Sequence, residues 1–550
     1  MKVLLCAVNS KYIHSSLAVW YLASAVKEYI NVDCEIMEAT INEPRENILE
    51  RIISKKADMV AFSTYIWNKN EILWLAKNVK DITEAKVLLG GPEVSYNVEN
   101  VLRDNQFVDY VISGEGEEPF AQLCSGVPVE KIEGLSFKKG GDVVIKPPFY
   151  SIQDPPNPYT AEYLEQLNGR IAYIETSRGC PFHCAFCLSG RCEGVRFFDL
   201  EKSKRNIIRL ANSGTQTVKF IDRTFNANKK RAREILNFII DEYGKSIPKN
   251  VCFHFEIEGE LLDEQTFDVL KRAPKGLIQL EIGLQSFNEE TLLAVNRRTN
   301  LGLLCENIKK LISLGNIHIH IDLIIGLPYE DLESFKKSFD FAYALKPHML
   351  QVGFLKLLYG AELREKSVDY NYKFIDTPPY EIISNRWLTV KELIKLNSFE
   401  DVFEKMYNSR RFGLTLDYLN TVFESPFDMF LGFAEYVDKK IINNSLDDFT
   451  AAILEYFSNK EGVNKLLLRD KLAIDRLATN RMGSLPDFLR VHSPKIKEKL
   501  NSLDKNEATK RRKSIKRAAT ILLSENKLAY VDYDECDYVT NRFLVKFTEI

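Results

Sequence analysis

No stretch of this 550-residue chain approaches the ~20 consecutive apolar residues of a membrane helix, so no membrane span is expected. The N-terminal MKVLLCAVNSKY turns polar after an apolar run too short for a signal-peptide core, and no small-residue cleavage site follows. The expectation is a cytoplasmic protein. A net charge of only -3 leaves no global excess of either sign to favour nucleic acid. The local basic run KRRKSIKR (Lys510–Arg517) reads as a solvated helix face; as a nucleic-acid patch it would make RNA a substrate. There is no internal repeat and no low-complexity tract. No G-x-G-x-x-G follows the first strand-like run, which argues against a nicotinamide dinucleotide.

What is present is ordinary globular composition, 45% hydrophobic and 27% charged, in a chain too long for one core; about three or four domains are expected. Up to about residue 125, β-rich runs (KVLLCAVN, VDCEIMEA, DMVAFSTY, KVLLGG, VDYVISG) alternate with amphipathic helical stretches, the pattern of a doubly wound parallel sheet. Such sheets bind ligands at the carboxyl ends of their strands. Here those ends carry Asn9–Ser16, Ser63–Trp67, GGPEVS (Gly90, Gly91, Pro92, Glu93, Val94, Ser95) and SGEGEEP (Ser113, Gly114, Glu115, Gly116 and onward). The glycines would let backbone approach a ligand; the plainer reading is tight strand-to-helix turns.

A hairpin (GLSFKKGGDVVIKPP) and a proline-rich connector (DPPNPY) follow, and a second alternating set then runs RIAYIETS, TVKFIDRTF, VCFHFEIE, LIQLEIGLQS, HIHIDLIIGLP and HMLQVGFLKLL. Six βα units suggest a barrel, complete or partly open, with its active site at the carboxyl ends of the strands. From about 380 the pattern is mainly helical, closing on β-rich LAYVDYD and RFLVKFTE. The expected division is a Rossmann-like domain at 1–126, a hairpin and linker at 127–165, a barrel at 166–375 and a mainly helical domain at 376–550.

Of ten cysteines, four fall within TSRGCPFHCAFCLSGRC (Thr176–Cys192), directly after the first barrel strand. Cys6, Cys34, Cys124, Cys252, Cys305 and Cys536 are scattered singly and read as small buried hydrophobes. One tight cluster among scattered singles points to a metal site and not a disulfide framework. Cys180, Cys184 and Cys187 are spaced C-x3-C-x2-C. Structural zinc asks for four ligands, usually as two separated pairs, and fits poorly. An iron–sulfur cubane held by three thiolates leaves one iron open. His183 is a ligand on paper, with a loop or supporting role preferred, and Cys192 is the rival that would close the site.

C-x3-C-x-aromatic-C, with Phe186 before the last cysteine and at the end of the first barrel strand, resembles the radical S-adenosylmethionine (SAM) superfamily. The resemblance implies a [4Fe–4S] cluster on Cys180, Cys184 and Cys187, with SAM on the open iron and Cys192 a bystander. EIGLQSFNEETLLAVNRR resembles the stretch that holds SAM in the coproporphyrinogen oxidase-like branch, which implies Gln285 and Arg297 as SAM-binding residues. Arg297 could grip the carboxylate of SAM in a bidentate fork. Glu256 and Asp322 correspond to acidic SAM-binding residues of that branch. FIDRTFNAN resembles its strand-two signature, with Arg223 where a second acidic residue is common.

A doubly wound domain preceding such a barrel resembles the cobalamin-binding class of radical SAM enzymes, over residues 1 to about 360. This implies cobalamin against Gly90, Gly91, Pro92 and Glu93 and against Ser113, Gly114, Glu115 and Gly116. The D-x-H-x-x-G loop of cobalamin domains reads YIHSSL here, with Tyr12 for Asp and Leu17 for Gly, so His14 is expected as a loop or helix-start residue and not a cobalt ligand. The resemblance implies a radical C-methyltransferase acting through a 5'-deoxyadenosyl radical and methylcobalamin, with a reductase, flavodoxin or ferredoxin as electron donor. Its substrate would be a small molecule, or a peptide or RNA. Alternatives are a radical SAM rearrangement, cyclisation or lyase reaction, and a non-catalytic iron–sulfur or zinc protein. The C-terminal region resembles a domain of unknown function.

Overall fold

A computed structural model describes residues 1–27, 32–191, 194–440, 445–479, 485–507, 517–537 and 539–550. Cys192 and the basic run from Lys510 to Lys516 lie outside the described residues. The chain divides into two compact units: Met1–Gln279 with Leu293–Arg298 and Phe354–Asn385, and Leu280–Leu292 with Thr299–Gly353 and Arg386–Ile550.

The first unit opens with β1 (Lys2–Asn9), β2 (Asp33–Thr40), β3 (Met59–Ser63), β4 (Lys86–Gly90) and β5 (Tyr110–Ile112), parallel in the order β2-β1-β3-β4-β5. β1 is buried at seven successive positions, as expected of a strand covered by helices on both faces. The covering helices repeat at helical spacing; Lys69–Ile82 buries Ile72, Leu75, Ala76 and Val79. The hairpin strands β6 (Leu135–Lys139) and β7 (Asp142–Val144) pair antiparallel onto β5 and extend this sheet, so the expected linker begins as sheet edge.

The same unit carries β8 (Ile171–Ile174), a hairpin of β9 (Ser177–Gly179) and β10 (Val195–Phe197), then β11 (Thr217–Phe220) and β12 (Cys252–Ile257). β11 lies parallel between β8 and β12. Alternate residues of β12 are buried, and Phe220, Phe225 and Phe255 stack with 4.4 Å between Phe255 and either partner. The opposite face carries Lys219, His254 and Glu256, all half-buried.

The second unit holds β13 (Ile278–Gln285, from Leu280 onward), β14 (His318–Ile325) and β15 (Met349–Phe354, to Gly353), neighbours in the order β15-β14-β13. Helices Val390–Phe403 and Pro426–Asp438 pack with Leu332–Ala344 around Phe339, Phe399, Phe427 and Phe430. The chain ends in an antiparallel sheet of Arg517–Leu522, Lys527–Asp537 and Arg542–Glu549. Its first strand begins at the last residue of the run expected as a helix face.

Candidate functional site

The cysteine loop is moored before it begins. Asp222, just past β11 and 1% exposed, accepts hydrogen bonds from Thr176 N (3.1 Å), Thr176 Oγ1 (2.8 Å) and Ser177 Oγ. Burial pushes its carboxyl up to about 6, against the pull of those donors. Gly179 has φ +99°, and a Cβ there would lie 2.2 Å from the Gly194 carbonyl, so the crossing of β9 and β10 requires glycine. His183 is exposed and its Nδ1 lies 2.9 Å from the Gly190 carbonyl, where it closes the loop on itself.

Cys180 and Cys184 are buried and Cys187 is half-buried. Thr224 Oγ1 lies 3.4 Å from Cys180 Sγ, and Arg297 Nη1 lies 3.8 Å from Cys184 Sγ. Arg297 also donates through Nη2 to Glu258 Oε2 at 2.8 Å. Burial pushes the Glu258 carboxyl up while Arg297 pulls it down. Asn226 fixes the Glu258 backbone through both its N–H (2.9 Å) and its carbonyl (2.8 Å). Glu258 Oε1 is buried with no hydrogen-bond partner among the described residues.

The carboxylate that pairs with Arg297 is therefore Glu258, a residue the sequence reading did not single out. Glu256, expected from the resemblance as a SAM-binding residue, lies two positions earlier and pairs with Lys219 at 3.5 Å. Both occur in FEIEGE with the same face parity. Arg297 lies in the short run Leu293–Arg298 that belongs to the first unit, and Val295 O accepts from Ala185 N at 2.9 Å. Gln285 ends β13 in the second unit, at φ +70°. Asp322 lies in that unit on β14, 3.0 Å from His320 Nε2. Arg223 is exposed.

At the carboxyl edge of the first sheet, Thr64 Oγ1 and Ser113 Oγ are buried with no hydrogen-bond partner among the described residues. Gly91 (φ +108°) and Gly114 (φ +85°) flank them; added Cβ atoms would lie 2.5 Å from Thr64 O and 2.2 Å from Phe149 O. At these two positions the fold's own backbone leaves no room for a side chain, as tight strand-to-helix turns require. Pro92 and Gly114 are exposed, and Gly90, Gly91, Glu115 and Gly116 half-buried. The Glu93 carboxylate turns inward, accepting from Lys69 Nζ (3.0 Å) and the Tyr380 hydroxyl, while Lys69 and Tyr380 also meet at 2.7 Å. His14 Nδ1 lies 2.7 Å from the Tyr173 hydroxyl, in the loop before the helix Leu17–Val26, and burial pulls its pKa down.

One ionic network joins the edge of the first sheet to the cysteine loop. Arg178, two residues before Cys180, pairs with Glu115 (2.7 Å), Glu117 (2.7 Å) and Glu175 (2.9 Å), and Arg196 pairs with Glu115 at 2.8 Å. All five groups are largely buried. A second connection runs through Phe354–Asn385: Leu363 N donates to Ala185 O (2.8 Å), Arg191 Nε donates to Gly360 O (2.7 Å), and Tyr380 holds Glu93.

Three thiols on one loop, of which the two buried ones, Cys180 and Cys184, each lie near a polar side chain, fit a cluster with three protein ligands. Two buried hydroxyls lacking partners at the sheet's carboxyl edge fit a polar ligand there.

Comparison with known proteins gives three family matches: a B12 binding domain over residues 3–124, the Radical SAM superfamily over 174–342, and a protein of unknown function (DUF4080) over 368–538. The cobalamin-dependent radical SAM methyltransferase TokK of Streptomyces tokunonensis is 28% identical over 54% of this chain and 46% of its own length. The 2-(S-pantetheinyl)-carbapenam-3-carboxylate methyltransferase of Streptantibioticus cattleyicolor is 28% identical over 51% of this chain and 44% of its own. The chain thus spans about half the length of these curated relatives. Among solved structures, the cobalamin-dependent SAM radical enzyme OxsB, with aqua-cobalamin and SAM bound, superposes with a TM-score of 0.62 over 93% of this chain and 82% of that one, at 13% identity. At that identity the likeness concerns the fold: a doubly wound domain, a partial (βα)6 barrel and a mainly helical C-terminal region.

Proposed function

From a chain that belongs to the radical SAM enzymes with a B12-binding domain and carries a C-terminal DUF4080 region, we propose that it methylates an unactivated carbon. The observation that carries the reading is the Arg178 network, which binds Glu115 and Glu117, just past β5 of the B12-binding domain, to the root of the cysteine loop within one compact unit. Two cofactors held by surfaces so joined can act on one substrate. When bound, the cluster would supply the electron for reductive cleavage of SAM, and cobalamin would supply the methyl group.

In this reading Cys180, Cys184 and Cys187 hold the cluster. Arg297 supplies a guanidinium that can fork onto a carboxylate, and Glu258 Oε1 supplies a buried acceptor for a hydroxyl or amine of SAM. Gln285 and Asp322 are further SAM-binding candidates. Thr64 and Ser113 offer hydroxyls to cobalamin beside Gly90, Gly91, Pro92, Gly114 and Gly116, while Glu93 and Glu115 serve as internal supports of the same turns. Asp222 holds the cysteine loop in place. The polar face of β11 and β12, with Lys219, His254 and Glu256, favours a polar substrate over a greasy one.

The test is anaerobic reconstitution of the full chain with iron, sulfide and cobalamin, followed by analysis of SAM products under reducing conditions. Methyl transfer yields S-adenosylhomocysteine together with 5'-deoxyadenosine. Deoxyadenosine without S-adenosylhomocysteine overturns methylation in favour of rearrangement, cyclisation or lyase chemistry. A protein that takes up no four-iron cluster refutes radical chemistry altogether.

A further inference from the structure

Just past β11 comes Asp222-Arg223-Thr224, a turn whose first and last residues both meet the cysteine loop. Asp222 takes the hydrogen bonds of Thr176 and Ser177 at the root of the loop, Thr224 places its hydroxyl 3.4 Å from Cys180 Sγ, and Arg223 between them is exposed. Thr224 and Cys180 are both buried. The hydroxyl has one hydrogen and a second acceptor, the Arg223 carbonyl at 2.8 Å. With a protonated thiol, either partner of the Thr224–Cys180 contact can donate. An iron-bound cysteine is a thiolate and can only accept, so the contact then requires Thr224 as donor. A negatively charged sulfur also outcompetes a neutral carbonyl for that hydrogen.

We infer that Thr224 is a positioning residue of the cluster, whose hydroxyl donates to the Cys180 thiolate and makes the cluster easier to reduce. The inference rests on the reading of the cysteine loop as a four-iron site. Reduction adds one electron to the cluster and its thiolates, taken from an external one-electron donor, and adds no proton. A hydrogen bond to sulfur stabilises the more negative of the two forms and so raises the potential. The effect is strengthened where both partners are shielded from water. Arg297 acts on the Cys184 thiolate, but its charge is shared with Glu258. Thr224 is neutral, so replacing it removes a hydrogen bond without changing the charge of the site.

The experiment uses the full chain, reconstituted anaerobically, as wild type, Thr224→Val, Thr224→Ala and Thr224→Ser. Iron per chain is measured first; the cluster is then titrated with dithionite in the presence of redox mediators and followed by electron paramagnetic resonance, without SAM or substrate. Thr224→Val and Thr224→Ala are expected to keep their iron and to titrate at a more negative midpoint than wild type, with Thr224→Ser restoring the wild-type midpoint. Equal midpoints at equal iron content overturn the inference. Loss of iron from both Val and Ala variants overturns it too, because the contact would then hold the loop and not tune the cluster. Wild-type protein without a four-iron cluster refutes the functional reading itself, before Thr224 comes into question.

Discussion

At the scale of single residues, the site separates side chains that share a loop by their surroundings. Cys180, Cys184 and Cys187 point to one task, whereas His183, between the first two, is exposed and bonded to the Gly190 carbonyl. Replacing any of the three cysteines by alanine is expected to abolish cluster uptake, measured as iron per chain and visible absorbance after reconstitution. His183→Ala should retain it. The spacing of the cysteines was legible in the sequence because ligands on one short loop need no tertiary structure to be neighbours. The acidic partner of Arg297 was not. Glu256 and Glu258 have the same parity, and which of them meets Arg297 depends on where β12 ends and on Asn226 bracketing the Glu258 backbone.

At the scale of elements, turns do the positioning. The turn that follows Gln285, the last residue of β13, is pinned by Ser286, whose hydroxyl donates to Glu330 at 2.6 Å, as does that of Ser338 at 2.7 Å. Glu330 is fully buried, and desolvation pushes its carboxyl up to about 7 from an ordinary 4.5. The folded state therefore holds the proton more tightly than the unfolded chain. Stability from this group is fully present below about pH 4.5 and is lost as pH rises to about 7. Glu330→Gln imitates the protonated form and should gain on wild type across that window, levelling off above it; denaturant titrations at several pH values read this directly. The strap at Tyr380 gives a second expectation. Tyr380→Phe removes a hydroxyl from the buried carboxylate of Glu93 and should cost about 1.5–3 kcal/mol of unfolding free energy, checked by denaturant melts.

At the scale of the whole molecule, the Arg178 network sets three half-buried carboxylates against two guanidiniums at the joint between the edge of the first sheet and the cysteine loop. Arg178→Met leaves Glu117 and Glu175 without their guanidinium partner and is expected to destabilise the protein by about 3–5 kcal/mol, read by thermal or chemical unfolding. Adding Glu175→Gln should recover part of the loss. The sequence by itself determined the local matters: the doubly wound and βα alternation, whose periods of hydrophobicity are set by strand and helix geometry, and the three-cysteine loop, set by spacing along one segment. Tertiary structure alone decided the pairings across distance. It gave Glu93 a lysine, Glu115 an arginine and Glu258 the guanidinium of Arg297, joined the hairpin to the first sheet, and returned the segment around Tyr380 to the cysteine loop. The physical reason is that a carboxylate's role follows from which donor burial brings to it, and that partner lies from about forty to nearly three hundred residues away in the pairs Glu258–Arg297 and Glu93–Tyr380.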